Sequence, residues 1–443
     1  MSIGRRDILK VAGLAGTGCL PGWLANSPAG QSPGGVSTHD LFEDYDRRFA
    51  EAKLRRPHRD PAQPGDREAI RAAAKACLGI RDEWIPSIRA DMVRETPFEG
   101  GRIQHLQASS WPGVAASALL YRPNNATAGP LPLVIQCCGH GKGGKLAPGY
   151  QRMARHVARR GAMVLVPDNL GQGEREPMGH ADCVRPFACG LSVQGLIVME
   201  TLAWIHWANQ QPGTDQRRLA AIGNSGGGTL TLFLAALCPE LAVLSSSGYP
   251  STFEYIARKE KKHCHCNILP GILRELEMWH LLGCFAPKPL FIFIGTLDNL
   301  FGQDLFHQVA REVRDVYRSL GREEAFEARL FPGEHPWDED RVRALGSYLA
   351  RQLQLGGPEP KEDVTEPLLG EDGRCYPSWP PGALTTDALG EQLAGKRVAD
   401  PIQLWDVFPP AIPADTRLEE VTTRGSTRQI FAQFEAFLGS NRL

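Results

Sequence analysis

The chain has 443 residues, 22% of them charged and 42% hydrophobic, with 49 Lys and Arg against 50 Asp and Glu, so its formal net charge is -1. A near-neutral balance without a dense basic run excludes a protein built to neutralise nucleic-acid phosphates, and no acidic solvating tail is present. At roughly 150 residues per domain, the length suits two or three units, or one large α/β domain with extensions.

In chain order, Arg5-Arg6-Asp7-Ile8-Leu9-Lys10 precedes an apolar run, Val11 to Leu20, that is too short and too Gly-rich to span a bilayer. The segment resembles a twin-arginine export signal, with Gly4 where Ser or Thr is usual and Ile8 where Phe is usual. It implies a signal peptide over residues 1–29 and a periplasmic or secreted protein. Cys19 lacks the Leu three residues earlier that a lipoprotein cysteine carries. Without Arg5, Arg6, Lys10 and Asp7 the mature chain has a net charge of -3. No later segment reaches 18 uninterrupted apolar residues, so no membrane span is expected.

Residues 40–90 read as a helical extension, with Leu41, Phe42, Tyr45 and Phe49 at helix spacing and a second Ala-rich stretch over Arg67 to Leu78. Short β-like runs follow between Met92 and Pro123, separated by the turn Trp111-Pro112-Gly113, and predict antiparallel strands. From Leu131 to Leu353, apolar runs of four to six residues alternate with amphipathic helices, the pattern of a mostly parallel sheet covered on both faces. Residues 91–354 therefore read as a doubly wound α/β domain. Residues 355–385 read as a Pro/Gly-rich linker, and 386–443 as an extension with weakly patterned helices and no catalytic signature.

In such sheets chemistry lies beyond the carboxyl ends of the strands. Gly223-Asn224-Ser225-Gly226-Gly227 follows an apparent strand and opens an apparent helix, the context of a G-x-S-x-G nucleophile elbow. A serine there needs a base, and the base needs an orienting carboxylate, in the chain order Ser, acid, His. Asp298 and His335 each follow a strand and fit those roles; His307 falls within a helix, and His263, His265 and His280 precede the acid. Backbone N–H groups of Gly226 and of Gly139 or His140, in the loop Cys138-Gly139-His140-Gly141-Lys142-Gly143-Gly144, are the expected oxyanion donors. That loop lacks the Gly-Lys-Ser/Thr ending of a nucleotide P-loop. Asp168 is expected to brace the turn after its strand by accepting backbone N–H bonds, while Gln172 and Arg175 fit either substrate contact or loop organisation.

The elbow, the loop Asp168-Asn169-Leu170-Gly171-Gln172-Gly173-Glu174-Arg175, the segment His263-Cys264-His265-Cys266-Asn267 and Ala286-Pro287-Lys288-Pro289 together resemble a bacterial branch of the α/β-hydrolase superfamily related to acetyl xylan esterases and dienelactone hydrolases. The resemblance spans about residues 90 to 354. It implies an α/β-hydrolase fold and a serine esterase acting on carbohydrate esters, without metal or organic cofactor. Dienelactone hydrolases carry cysteine where this chain has Ser225, and His280 stands where relatives carry an acidic residue. The rival readings are a serine peptidase of aminopeptidase type on the same fold, and a non-catalytic carbohydrate-binding protein on a hydrolase scaffold.

The His263-Cys264-His265-Cys266 run raises the question of a metal. Consecutive ligands would strain one tetrahedral site, and no second Cys/His pair lies at finger-like spacing, so a structural loop is expected and no metal ligand is assigned. Of the eleven cysteines, Cys137, Cys138 and Cys238 read as small buried hydrophobes, and Cys183 with Cys189, or Cys264 with another partner, as disulfide candidates.

Overall fold

The computed structural model describes residues 38–124, 129–141, 143–259, 264–360, 368–409 and 425–440. The expected leader, His263 and Lys142 lie outside them. Among the described residues nine strands form one sheet in the order β1-β2-β3-β5-β4-β6-β7-β8-β9. Strands β1 (Arg89–Phe98), β2 (Gly101–Ser109) and β3 (Ala115–Pro123) pair antiparallel, β3 pairs antiparallel with β5 (Met163–Pro167), and every later pairing is parallel. The turn at Trp111-Pro112-Gly113 joins β2 to β3 as expected, and Gly113 supplies its positive φ of 78°.

The apolar runs became strands buried on both faces. All seven residues of β4 (Leu131–Cys137) are buried. Leu133, Ile135 and Cys137 point into one core layer and Val134 into the other. Strand β6 (Thr214–Asn224) splits likewise, with Leu219 and Ala221 on the first side and Ala220 and Ile222 on the second. Strand β8 (Leu290–Gly295) puts Ile292 and Ile294 on the first side and Phe291 and Phe293 on the second; β7 (Val243–Ser247) and β9 (Phe326–Phe331) lie on either side of it. Period-2 alternation inside a continuous apolar run thus feeds two separate cores.

Helices α1 (Thr38–Leu54) and α2 (Pro64–Leu78) contribute Tyr45, Phe49, Ile70 and Leu78 to the first layer. Helix α3 (Pro148–Arg159) covers the second with Met153 and Val157. Helix α4 (Val193–Asn209), capped by Ser192 Oγ accepting from Gly195 N–H, and α5 (Gly226–Leu237) are apolar nearly all round and lie in the first layer. Helix α6 (Gln303–Ser319) joins them there, and α7 (Glu339–Leu353) packs beside α3.

The C-terminal segments are packed onto this body. In the stretch read as a linker, Leu369 and Cys375 are buried, and Tyr376 Oη lies 3.0 Å from the Ala108 carbonyl and 3.2 Å from that of Ala116. Helix α8 (Thr386–Ala394) sets Asp387 to accept the backbone N–H groups of Val184 and Arg185, and α9 (Gly425–Leu438) lies against α1. There Phe434 meets Tyr45 and Phe49, each at 5.1 Å between ring centres, and buried Glu435 accepts from Tyr45 Oη (2.7 Å) and Arg48. Tail and N-terminal helix thus share an aromatic cluster that neither shows alone. Among the described residues no helix is long and apolar enough to cross a membrane.

Replacing Phe434 with Ala removes a ring that is 2% exposed, and the cavity left behind should cost about 3 to 5 kcal/mol. Urea unfolding of the variant should show a lower midpoint with an unchanged slope.

Candidate active site

Strand β6 runs directly into α5 through Ser225, whose φ of 59° and ψ of -122° are rarely adopted by a residue with a side chain. Such a conformation costs on the order of 1 to 3 kcal/mol and persists where packing over-determines it. The packing is visible in the flanking glycines. A Cβ on Gly223 would lie 2.2 Å from the Gly227 carbonyl oxygen, and one on Gly227 would lie 2.1 Å from the Cys137 carbonyl oxygen. Only glycines let β6, α5 and the end of β4 close on one another. Ser225 N–H donates to the Ser247 carbonyl at 3.0 Å, which ties the elbow to β7.

Asp298 follows β8 and His335 follows β9. His335 Nδ1 donates to Asp298 Oδ2 at 2.8 Å, and Asp298 Oδ1 accepts from the backbone N–H groups of Leu300 (2.9 Å) and Phe301 (3.1 Å). Burial raises the Asp298 carboxyl, but the His335 hydrogen bond and charge and these N–H groups outweigh it and hold the acid below its usual value. The bond assigns the proton to Nδ1 and leaves Nε2 as the acceptor. That nitrogen is buried without a hydrogen-bond partner among the described residues. The His335 ring lies over Gly248 at the end of β7, where a Cβ would come within 2.9 Å of its Cε1, and Asn224 Nδ2 donates to the His335 carbonyl at 3.3 Å. Ser225, Asp298 and His335 therefore lie at the same edge of the sheet. The acid and base are in contact, whereas Ser225 makes no hydrogen bond to His335 in this arrangement. Such bonds commonly tighten only in the substrate complex.

The glycine-rich loop after β4 lies against the elbow, since a Cβ on Gly139 would fall 2.9 Å from that of Ser225. Of the two expected donors in that loop, Gly139 N–H is already engaged, donating to Tyr150 Oη at 2.5 Å. His140 sits directly over Gly226, where a Cβ would be 2.7 Å from its Nδ1. Tyr150, in the first turn of α3, went unassigned in the sequence because an aromatic in a helix reads as core. Its hydroxyl would be 2.8 Å from a Cβ on Gly139, and burial raises its pKa and keeps it a proton donor. Trp337 and Tyr249 are buried, and Trp337 Nε1 donates to Ser247 Oγ at 2.9 Å, which makes it a brace for β7.

Asp168, expected to brace its turn, accepts from Lys145 N–H at 2.7 Å and from Glu174 N–H at 3.3 Å. It also pairs at 2.5 Å with Lys145 Nζ, which bonds Ser117 Oγ at 3.0 Å and contacts Glu174 as well. Glu174 in turn accepts the backbone N–H groups of Cys375 and Tyr376. Burial alone would lower Lys145, but the two carboxylates outweigh it and raise it. Burial likewise raises Glu174, and Lys145 overrides that and lowers it. Arg175 is wholly buried against Glu200 (2.6 and 2.9 Å) and the Asp168 carbonyl, so it organises the loop. Gln172 instead reaches His180 Nε2 at 3.0 Å.

The cysteines depart from expectation. Cys183 and Cys189 are both free and buried, kept apart by the helical turn Arg185–Ala188 between them. The sulfurs of Cys264 and Cys266 are in disulfide contact with each other, and they face His140 and His180. His265, between them, turns away and bonds the Cys183 carbonyl through Nδ1 at 2.9 Å. Burial lowers His180 to about 3 and His140 to about 4. A cavity of about 530 Å³ opens beside these imidazoles, lined among others by Glu176, Asp182 and Asp387.

An uninterrupted run of parallel strands, a serine elbow after the strand at its centre and an acid–histidine pair at the same edge define an α/β-hydrolase. Residues 92–267 match the acetyl xylan esterase family model. The putative hydrolase YtaP of Bacillus subtilis (strain 168) is 20% identical over 226 residues, 48% of this chain and 75% of that protein. Among solved structures, methylesterase BT1017 superposes with a TM-score of 0.57 at 16% identity, covering 80% of each chain. A putative acetyl xylan esterase from Bacteroides fragilis gives 0.53 at 17% identity over 65% of this chain and 82% of its own. A glucuronoyl esterase from Solibacter usitatus gives 0.53 at 14% identity over 65% and 92%. The family match supports a carboxylic ester hydrolase.

Substituting Met for Lys145 would leave two buried carboxylates unpaired and should destabilise the fold by about 3 to 5 kcal/mol, read by thermal or urea unfolding. In the unsubstituted protein, the lowered Glu174 contributes stability that is complete above the ordinary carboxyl value of 4.5 and is lost as pH falls through its lower folded value. Unfolding midpoints should therefore drop steeply below about pH 4.5, and the Met variant should lose that part of the dependence.

Proposed function

We propose that this chain is a serine esterase of carbohydrate esters that works through an acyl-enzyme. The reading is carried by the strained Ser225 elbow facing the same edge as the Asp298–His335 pair. His335 Nε2, whose lone pair is unspent, takes the proton of Ser225 Oγ as the oxygen attacks the ester carbonyl. Asp298 holds the ring in the Nδ1–H form and stabilises the imidazolium. The Gly226 N–H at the start of α5, with His140 N–H from the facing loop, receives the developing oxyanion, where such donors supply several kcal/mol of barrier lowering. The Tyr150 hydroxyl, already tied to Gly139, stands beside the same point. Collapse expels the alcohol, which takes its proton from His335, and water then attacks the acyl-serine with His335 again as base.

Support for a carbohydrate ester comes from the acetyl xylan esterase match over residues 92–267 and from the acidic cavity beside His140, whose Glu176, Asp182 and Asp387 suit a partner rich in hydroxyl donors. The mechanism calls on no metal or organic cofactor. The Arg5-Arg6 leader supports export to the periplasm or medium.

Ser225→Ala should lower turnover of a responsive ester roughly a million-fold, with an unchanged circular dichroism spectrum. Asp298→Asn should cost roughly 10⁴-fold in kcat. A panel of acetylated, methyl-uronate and feruloyl sugars, run beside aminoacyl esters and peptides, identifies the acyl group. Turnover confined to aminoacyl substrates would favour a peptidase, and failure of a fluorophosphonate to label Ser225 would leave an inert binding scaffold.

A further inference from the structure

Three loops far apart in the chain converge at His140, next to the elbow. His140 Nε2 lies 2.7 Å from Cys264 Sγ, 3.2 Å from Cys266 Sγ and 3.1 Å from His180 Nε2, and Cys264 Sγ lies 3.2 Å from His180 Nε2. All four atoms are within 4.8 Å of one another. A tetrahedral zinc ion, with bonds of about 2.0 Å to nitrogen and 2.3 Å to sulfur, spaces its ligand atoms roughly 3.3 to 3.8 Å apart. Reaching that spacing requires Cys264 and Cys266 to part from their disulfide contact and His140 and Cys264 to move outward from 2.7 Å. We propose that His140, His180, Cys264 and Cys266, with the cysteines as thiolates, form a Cys2His2 site for a zinc-class divalent ion.

The surroundings are those of a ligand set. His180 Nδ1 donates to the Leu170 carbonyl at 2.8 Å, which fixes the tautomer and aims the Nε2 lone pair into the cluster, the usual outer support of a metal-bound histidine. The Gln172 amide that also meets this lone pair at 3.0 Å must turn aside on loading. Asn267 Nδ2 directs N–H toward both sulfurs, at 3.8 and 3.6 Å, where it would temper thiolate charge. His265 N–H donates to the Ala181 carbonyl at 2.9 Å and its ring bonds the Cys183 carbonyl, so the cysteine loop is stitched to the loop carrying His180. Two thiolates with two imidazoles select zinc over calcium or magnesium. His140 is an exposed residue, and the open cavity it lines with His180 gives the ion its way in.

Loading exchanges protons alone: each thiol gives up one proton as its sulfur binds the ion. The disulfide form of Cys264 and Cys266 must first take two electrons and two protons from a thiol or phosphine reductant. With four protein ligands the site is closed, so its role is positional. It clamps His140, and with it the backbone that faces Gly226.

The test uses purified full-length protein, reduced with a phosphine, stripped by a chelator and titrated with Co2+ and then Zn2+. One Co2+ per chain should bind with the visible bands of a tetrahedral thiolate site, and one Zn2+ should displace it. The Cys264→Ser/Cys266→Ser double variant and the His180→Ala variant should lose those bands, while Cys284→Ala keeps them. Absence of stoichiometric binding by the reduced protein, an octahedral spectrum, or binding that survives the double variant would overturn the proposal. The unsubstituted titration decides the matter even where a variant misfolds. The spectral readout is also independent of ester hydrolysis.

Discussion

A single buried ammonium holds together the parts of this molecule that approach the site. Lys145 is wholly inaccessible, and removing such a charge from water costs several kcal/mol unless it is paired and hydrogen-bonded. Asp168 and Glu174 supply the pairing and Ser117 a further acceptor. The network joins three segments: Lys145 is in the loop after β4, both carboxylates are in the loop after β5, and Ser117 is in β3. Through Glu174 the network extends to the backbone of Cys375 and Tyr376 in the C-terminal strap. Two glycines make it sterically feasible, since a Cβ on Gly144 or Gly173 would come within 2.2 or 2.3 Å of Asp168 Oδ1. The glycine-rich loop after β4 is therefore anchored at its far end by electrostatics that tolerate little displacement.

The other end of that loop is set by contact with the elbow. Gly139 presses on Ser225 and on Tyr150, and His140 lies over Gly226. Strain at Ser225, the close approach of three backbones and the buried Lys145 network are parts of one arrangement. It fixes Ser225, the proposed nucleophile, and the proposed oxyanion donors relative to each other before a substrate arrives, which is where electrostatic stabilisation of a transition state gains most. A clamp on His140 would act on the same loop as Lys145.

Much of this was legible in the sequence for definite reasons. Apolar runs of four to six residues between amphipathic helices have few outcomes other than a parallel sheet, and every such run between Leu133 and Phe331 became a strand. The positions of the elbow, Asp298 and His335 at strand ends were readable because chain order in this fold restricts where candidates for a nucleophile, an acid and a base can sit. Tyr150 was not, since its hydroxyl is recognisable only once Gly139 is placed against it. The strap over residues 368–376 read as a linker because Pro and Gly suppress periodicity, although its backbone N–H groups are taken up by Glu174. The cysteine–histidine cluster was missed for a related reason: spacing rules look for ligands within one segment, while His140, His180 and the Cys264–Cys266 pair come from three.

By itself the sequence determined what local pattern can encode: the order of strands and helices, the doubly wound α/β class, and the turn on which Ser225 sits. These follow from periodicity and from backbone conformations that only certain residues tolerate. The tertiary structure decided what depends on long-range contact. It chose which side of each buried strand feeds which core, gave the tail an aromatic seat on α1, took Gly139 N–H for Tyr150, and buried Lys145 among acids from other loops. It also left Cys183 and Cys189 apart and turned Cys264 and Cys266 toward two distant imidazoles. Pair distances between residues far apart in the chain are set by how the layers close, and no local pattern carries that information.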